Sequence, residues 1–89
     1  MRPLTEENVE KIGRVAHFFP KISVAVIELT APLSAGDTIV IKGPNTDFEQ
    51  KVDSMQIEHE SLQRAEAGQS IGLKVVERVR ETDAVYKKV

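Results

Sequence analysis

The sequence predicts an all-β domain in the form of a small closed six-stranded barrel of the Greek-key type. Apolar residues recur mostly at every second position, and β-branched Val, Ile and Thr dominate the apolar runs. Turn residues separate these runs at intervals of roughly ten residues, as in small barrels. Closure is favoured over a sandwich because a chain of 89 residues has little else with which to cover sheet edges.

Two strands are predicted in the first third of the chain. Residues 11–19 form the first, in which Gly13 permits a bend or a close backbone approach, and Pro20 ends it. Residues 22–29 are almost continuously apolar and β-branched, which is typical of a strand buried on much of both faces. This second strand is therefore predicted to lie at the centre of the core.

A loop and a hairpin are predicted next. Residues 30–36 form the loop, Gly36 supplies a positive φ, and Asp37 bonds within its own turn. Residues 38–42 alternate between apolar and polar, and the turn-forming stretch 43–47 follows them. This arrangement predicts a hairpin with the strand that begins at residue 48.

The apolar positions between residues 48 and 60 change parity. Phe48 and Val52 are even-numbered, whereas Met55 and Ile57 are odd-numbered. A strand keeps its apolar side chains on one face only if their spacing stays even, so the slip requires a bulge or a sharp bend. We predict a bulge near residues 53–54.

The last third of the chain is predicted to contain two strands. Residues 61–67 are polar and form one short turn, after which residues 71–75 alternate cleanly. Residues 79–83 are charged and turn-like, and residues 84–89 form a closing edge strand.

Domain organisation is simple. A charged, flexible tail at residues 1–9 is expected to precede a single β-barrel domain at residues 10–89. The tail has no apolar run, so no signal peptide is expected, and no segment is long and apolar enough to span a membrane. The absence of cysteine excludes disulfides and thiolate sites and favours a cytoplasmic location.

Charge and aromatic content limit nucleic-acid binding. Twelve basic and fourteen acidic side chains give a formal charge of -2, so the chain as a whole does not attract nucleic acid. The aromatic residues are only Phe18, Phe19, Phe48 and Tyr86, too few for stacking along a single strand. Any contact with RNA must therefore be local.

Four segments carry a resemblance to a known family. They are the glycine-anchored stretches 33–41 (LSAGDTIVI) and 65–73 (AEAGQSIGL), together with 11–15 (KIGRV) and 52–57 (VDSMQI). They resemble the β-barrel that forms the second domain of translation elongation factors, over residues 10–89. The resemblance implies a binding module that contacts RNA or the translation apparatus, with tRNA or ribosomal RNA as partner.

Two further motifs resemble a different group of proteins. Residues 17–22 (HFFPKI) and 54–60 (SMQIEHE) are similar to the accessory barrel at the C-terminus of U32-type peptidase-like proteins and to small stand-alone elongation-factor-like proteins. This resemblance implies the alternative function, a protein-interaction domain that docks onto a separate U32-type enzyme.

Neither resemblance brings a catalytic site with it. The G-x-x-x-x-G-K-[ST] phosphate loop is absent from the sequence, so nucleotide binding is not expected. Glu58, His59 and Glu60 are adjacent on a predicted strand and so alternate between faces, which favours a solvated strand end over a metal site. Ser54, His17 and Asp53 lack a nucleophile-elbow sequence. We expect a non-enzymatic module without cofactor or metal.

Candidate contact residues are basic or aromatic. Phe18 and Phe19 are consecutive, so an extended strand directs one inward and the other outward, as an anchor for a partner or as packing under the tail. Basic side chains either converge on phosphates or form an ordinary solvated face. The predicted RNA or partner contacts are Arg14, Phe18, Phe19, Lys21, Lys74, Arg78 and Arg80, and Lys42 and Lys51 complete the basic set.

Overall fold

The computed structural model describes residues 9–58 and 60–88. Apart from Val9, the predicted tail lies outside the described residues. The described chain forms ten strands and no helix. They are β1 Val9–Phe19, β2 Val24–Leu29, β3 Leu33–Ser34, β4 Thr38–Gly43, β5 Thr46–Lys51, β6 Met55–Ile57, β7 Glu60–Leu62, β8 Arg64–Ala65, β9 Ser70–Lys74 and β10 Ala84–Lys88. The all-β prediction is confirmed.

Eight strands form one antiparallel sheet, in the order β5-β4-β10-β1-β2-β9-β6-β7, and β3 pairs with β8 separately. The closed six-stranded barrel is not confirmed, because the end strands β5 and β7 are not paired with each other. After β5, the backbone of Val52 forms hydrogen bonds with the turn that precedes β4. Its N–H donates to the Asp37 carbonyl, and its carbonyl accepts from the Gly36 N–H, both at 2.8 Å.

One apolar cluster fills the interior of the curled sheet. On β2 the side chains of Ala25 and Ile27 are fully buried, and on β4 so are those of Ile39 and Ile41. Val75 and Val79 close the cluster from the connection between β9 and β10, at residues 75–83. Burial of apolar area supplies most of the stability of such a core.

Strand β1 changes partner along its length, and Gly13 lies at the change. Residues 9–14 pair with β10 and residues 13–19 with β2, with register shifts between Lys11 and Gly13 and between Val15 and His17. A Cβ at Gly13 would collide with the carbonyl oxygen of Glu28 on β2. The predicted close approach at Gly13 is confirmed.

Two predicted turns are present. Gly36 has φ +96°, and the Asp37 carboxylate accepts a hydrogen bond from the backbone N–H of Ser34 at 2.9 Å. The hairpin of β4 and β5 is also confirmed, with Gly43 opposite Thr46.

Four local predictions are wrong, the first being the loop at residues 30–36, which contains β3. The parity slip near residues 53–54 is a break between β5 and β6, which pair with different strands, and not a bulge within one strand. The predicted turn at 61–67 contains most of β7 and all of β8, because residues 60–62 pair with β6 and residues 64–65 with β3. Strand β10 lies between β1 and β4 and is therefore not an edge strand.

Candidate docking surface

Strand β2 presents apolar side chains on both of its faces. Ala25, Ile27 and Leu29 point into the core, whereas Val24 and Val26 point outward and are only half-buried. Strand alternation sets this division, because successive side chains lie on opposite sides of the sheet. The outer side of β2 is thus an apolar strip that the core does not cover.

The neighbouring strands extend this strip sideways. Val24 lies opposite Phe19 of β1 and Lys74 of β9, and Val26 lies opposite His17 and Gly72. Residues directly opposite in antiparallel strands share a face, so these side chains surround Val24 and Val26. Because Gly72 has no side chain, the surface is open beside Val26.

The hairpin between β1 and β2 and the connection after β9 add the most exposed apolar groups. Phe19 is 44% exposed, Ile22 60% and Val76 71%, and these are the exposed large hydrophobic residues of the described chain. Ile22 and Val76 flank a backbone hydrogen bond of 2.8 Å from the Val75 N–H to the Ser23 carbonyl. We call the combined area the apolar surface; it consists of Phe19, Ile22, Val24, Val26 and Val76.

Side-chain hydrogen bonds fix the residues at the edge of the apolar surface. The Gln50 side chain of β5 donates to the Lys74 carbonyl and accepts from the Val76 N–H, both at 2.9 Å. His17 lies 3.0 Å from a Glu81 carboxylate oxygen and meets the Phe19 ring edge to face at 4.5 Å. The surface is therefore fixed from β1, β5 and the connection at residues 75–83.

The structure separates the two predicted phenylalanine contacts. Phe18 lies opposite Ala25 and packs against the core, whereas Phe19 faces outward. The predicted alternation is confirmed, and of the two rings it is Phe19 that is available to a partner.

The predicted basic contacts lie on β1, on β9, in the β1–β2 hairpin and in the connection at residues 75–83. Lys21 lies at the hairpin tip and Lys74 lies opposite Val24, so both border the apolar surface. Arg78 and Arg80 are exposed on either side of the buried Val79. Arg14 is paired with Glu28 at 3.0 Å, which offsets its charge at the far end of the β2 strip.

Chemistry-bearing groups are sparse elsewhere. In residues 9–58 and 60–88, no three His, Cys, Asp or Glu side chains are grouped so as to hold a metal ion. A shallow depression is lined by Ile57, Glu58, Glu60, Leu62 and Gln69. Within the same residues we find no helix capable of crossing a membrane.

One resolved shift in pKa lies away from the apolar surface. Glu66 raises the pKa of the exposed Arg64 guanidinium, chiefly through a hydrogen bond of 2.7 Å and secondarily through its charge. Both residues lie in or beside β8, so this pair belongs to the small second sheet.

Sequence reasoning missed Ile22, Val24, Val26 and Val76 as candidate contacts. For Ile22, Val24 and Val26 the signal lies in the continuous apolar run 22–29, which predicts a strand covered on both faces. That prediction does not separate the two faces, and in the structure the described residues bury only the inner face fully.

Sequence comparison places the chain among parts of larger proteins. It is 48% identical over 77 residues to a protein of Methanocaldococcus jannaschii named as an uncharacterized protease, and 36% identical over 78 residues to a collagenase of Porphyromonas gingivalis. Both matches cover 85% of this chain but only 19% and 22% of those proteins. The chain thus spans about a fifth of these curated relatives, and no family model matches it.

Structural comparison identifies the fold. The C-terminal domain of a candidate U32 peptidase from Geobacillus thermoleovorans superposes with a TM-score of 0.84 over 100% of this chain and 99% of that domain, at 20% identity. Its selenomethionine variant gives 0.81 over 85% and 96%, at 22% identity. The chain has the fold of this C-terminal domain. These matches favour the U32 resemblance and give no support to the elongation-factor one.

Proposed function

We propose that this chain is an accessory binding domain of a U32-type peptidase, without catalytic groups of its own, and that it docks onto the enzyme. Two matches support the proposal most directly. The chain matches about one fifth of a larger protein named as a protease, and it has the fold of nearly the whole of a C-terminal domain. A segment that recurs as a fifth of a larger enzyme and also folds as a separate domain is suited to positioning rather than to chemistry.

The distribution of side chains supports the same function. The described residues concentrate their exposed large hydrophobic groups on one surface, as a docking domain does. Contact with RNA through Lys21, Lys74, Arg78 and Arg80 stays a prediction, as does a cytoplasmic location.

Binding to an enzyme body tests the proposal. The Methanocaldococcus jannaschii protease would be produced without the 77 residues that match this chain, and this chain would be titrated into it by calorimetry. We expect saturable one-to-one binding. Absence of binding, together with unchanged peptidase activity on addition of the chain, would contradict an accessory role.

Turnover by the chain alone provides the second test. A screen of peptide and protein substrates should show no cleavage by the purified 89 residues. Cleavage that persists after repeated purification would show that the domain is an enzyme in its own right.

A further inference from the structure

We propose that the apolar surface is the face by which this domain docks, and that its occupant is an apolar, carboxylate-bordered surface on the body of a U32-type peptidase. This inference rests on the proposed function and names the site and chemistry of the contact. The body is the part of such an enzyme outside the matched segment, about four-fifths of the Methanocaldococcus jannaschii protein.

The composition of β2 is the first argument. The strand reads VAVIEL, and its only charged residue is Glu28. Strands with near-continuous β-branched and aliphatic sequence are typical of sheets that are covered on both faces, whereas a strand with one wet face alternates apolar and polar residues. Here the described residues leave Val24 and Val26 half-buried, so β2 has the sequence of a strand covered on both faces but is fully covered by those residues on its inner face alone.

The outer face around β4, β5 and β10 is exposed to solvent and provides a comparison within the same protein. On β4 the outward Val40 is only 8% exposed. It lies between Tyr86 of β10 and Glu49 of β5, and the Glu49 carboxylate reaches Lys88 at 3.0 Å across β4. An ion pair and a tyrosine cover the apolar residue there. On the other half, Val24 lies between Phe19 and Lys74, and Val26 lies between His17 and Gly72, which has no side chain, and both valines stay half-buried.

The size of the apolar surface suits the centre of a domain interface. Strands β1, β2 and β9 together are about 10 Å wide, and the strip from Val24 to Val26 on β2 is about 7 Å long, with Ile22 beyond it at the hairpin tip. Interfaces between domains bury roughly 600–1,500 Å², with an apolar centre and a polar rim. The apolar surface provides such a centre, and exposed polar side chains surround it.

The charges at the rim specify the partner. Lys21 is next to Ile22, and Lys74 is opposite Val24. Neither takes part in the four ion pairs between described residues, which are Arg14–Glu28, His17–Glu81, Arg64–Glu66 and Lys88–Glu49. A complementary surface therefore carries carboxylates opposite these two ammonium groups, since opposite charges across an interface favour association.

Hydrogen bonds hold the backbone that carries the apolar surface. Ser23 at the hairpin tip holds a left-handed φ of 56°, which is uncommon for serine, and its carbonyl accepts from Val75. Gln50 fixes the next residue, Val76. Side chains presented on a fixed backbone lose less entropy on binding than those on a mobile loop.

Two variants of different kinds test the proposal in the calorimetric assay with the truncated Methanocaldococcus jannaschii protease. Val24→Gln with Val26→Gln removes the apolar strip but leaves the inward side chains intact. Gly72→Gln fills the open position beside the strip; its Cβ would have Val24 Cγ1 as nearest neighbour at 3.5 Å, an ordinary contact. The matched control is Thr38→Gln with Lys51→Gln, a directly opposed outer pair on β4 and β5.

We expect each of the two test variants to weaken binding about tenfold or more, and the control to bind like the unmodified chain. Equal binding by all variants would overturn the inference but leave the proposed function standing. No binding by the unmodified chain would overturn both. Self-association that is lost in the Val24→Gln, Val26→Gln variant would assign the surface to a second copy and overturn the inference. Thermal melting of each variant separates loss of the contact from loss of the fold.

Discussion

The outer surface of the sheet has two halves that differ in chemistry although one core supports both. Around β4, β5 and β10, outward positions carry Lys42, Asp47, Glu49 and Lys51, and the apolar Val40 is buried beneath its neighbours. Around β1, β2 and β9, the outward positions include Val24, Val26 and Phe19. The outward side chains of the first half are suited to contact with solvent. Those of the second half have the composition of a surface that packs against another protein surface.

The difference lies in the outer positions alone. Inward residues on both halves belong to the same apolar cluster, as Ile27 on β2 and Ile41 on β4 illustrate. An apolar residue that points inward is explained by folding, whereas an apolar strip that points outward needs another explanation, such as binding. Substitutions on the two faces of one strand should therefore affect different properties.

The largest expected effect on stability compares the two faces of β2. Ile27→Ala should lower the free energy of unfolding by about 3 kcal/mol, because it opens a cavity where the side chain is fully buried. The adjacent outward Val26→Ala should cost less than about 1 kcal/mol, because solvent already reaches this side chain. Urea denaturation measures both values. A cost at Val26 as large as that at Ile27 would show that the outer strip belongs to the core.

The next effect tests the junction between the halves. Gly13→Ala should destabilise the domain by about 2 kcal/mol, since the added Cβ meets the Glu28 carbonyl, a backbone group that cannot rotate away. The control, Gly72→Ala, should stabilise it by roughly 0.5 kcal/mol through reduced freedom of the unfolded chain. Denaturation curves of the pair provide the comparison. Equal stability of the two variants would contradict the close approach of β1 to β2.

A third prediction concerns the charged rim. Lys21→Glu with Lys74→Glu should weaken binding to the enzyme body about tenfold at low salt, mainly through slower association, and the difference should shrink as salt is raised. Lys42→Glu with Lys51→Glu, on the other half, should change binding little. Stopped-flow or surface-based kinetics at two ionic strengths distinguish the pairs. Equal sensitivity of both pairs would mean that net charge, not a specific rim, governs the contact.

The smallest effect on stability is expected on the solvent-exposed half, around β4, β5 and β10. Lys88→Met removes the ion pair with Glu49, in which both side chains are about half exposed, at 47% and 51%. Exposed pairs contribute roughly 0.2–1 kcal/mol, so the loss should be below about 1 kcal/mol and should fall further in high salt. Thermal melts at two salt concentrations measure it. A loss of several kcal/mol would show that the pair does more than cover Val40.

Much of the fold could be predicted from local sequence patterns. Alternation predicts β4 and β9, and the residues of the Gly36–Asp37 turn predict that turn. Gly13 predicts a bend or a close backbone approach, and the close approach is present. Each of these features depends on neighbours in sequence. What the sequence did not reveal was long-range: β10 inserts between β1 and β4, and the sheet stays open at β5. Pairing partners depend on the whole chain, which periodicity does not report.

The candidate site was predicted only in part. Phe19, Lys21 and Lys74 do border one surface, because the β1–β2 hairpin and the end of β9 are neighbours. Arg14 is a candidate contact because of its charge, but the register of β1 and β2 places Glu28 opposite it. Val24 and Val26 were overlooked since an apolar strand is expected to be core, and only the structure shows which of its faces is covered.

Methyl-resolved NMR of the isolated chain, recorded with and without the truncated Methanocaldococcus jannaschii protease, tests the central claim most directly. We predict that the methyl signals of Ile22, Val24, Val26 and Val76 shift or broaden on binding, while those of Val40, Ile39 and Ile41 stay in place. Changes centred on Val40, or a bound state in which the Val24 and Val26 methyls are unaffected, would contradict the docking surface described for this domain.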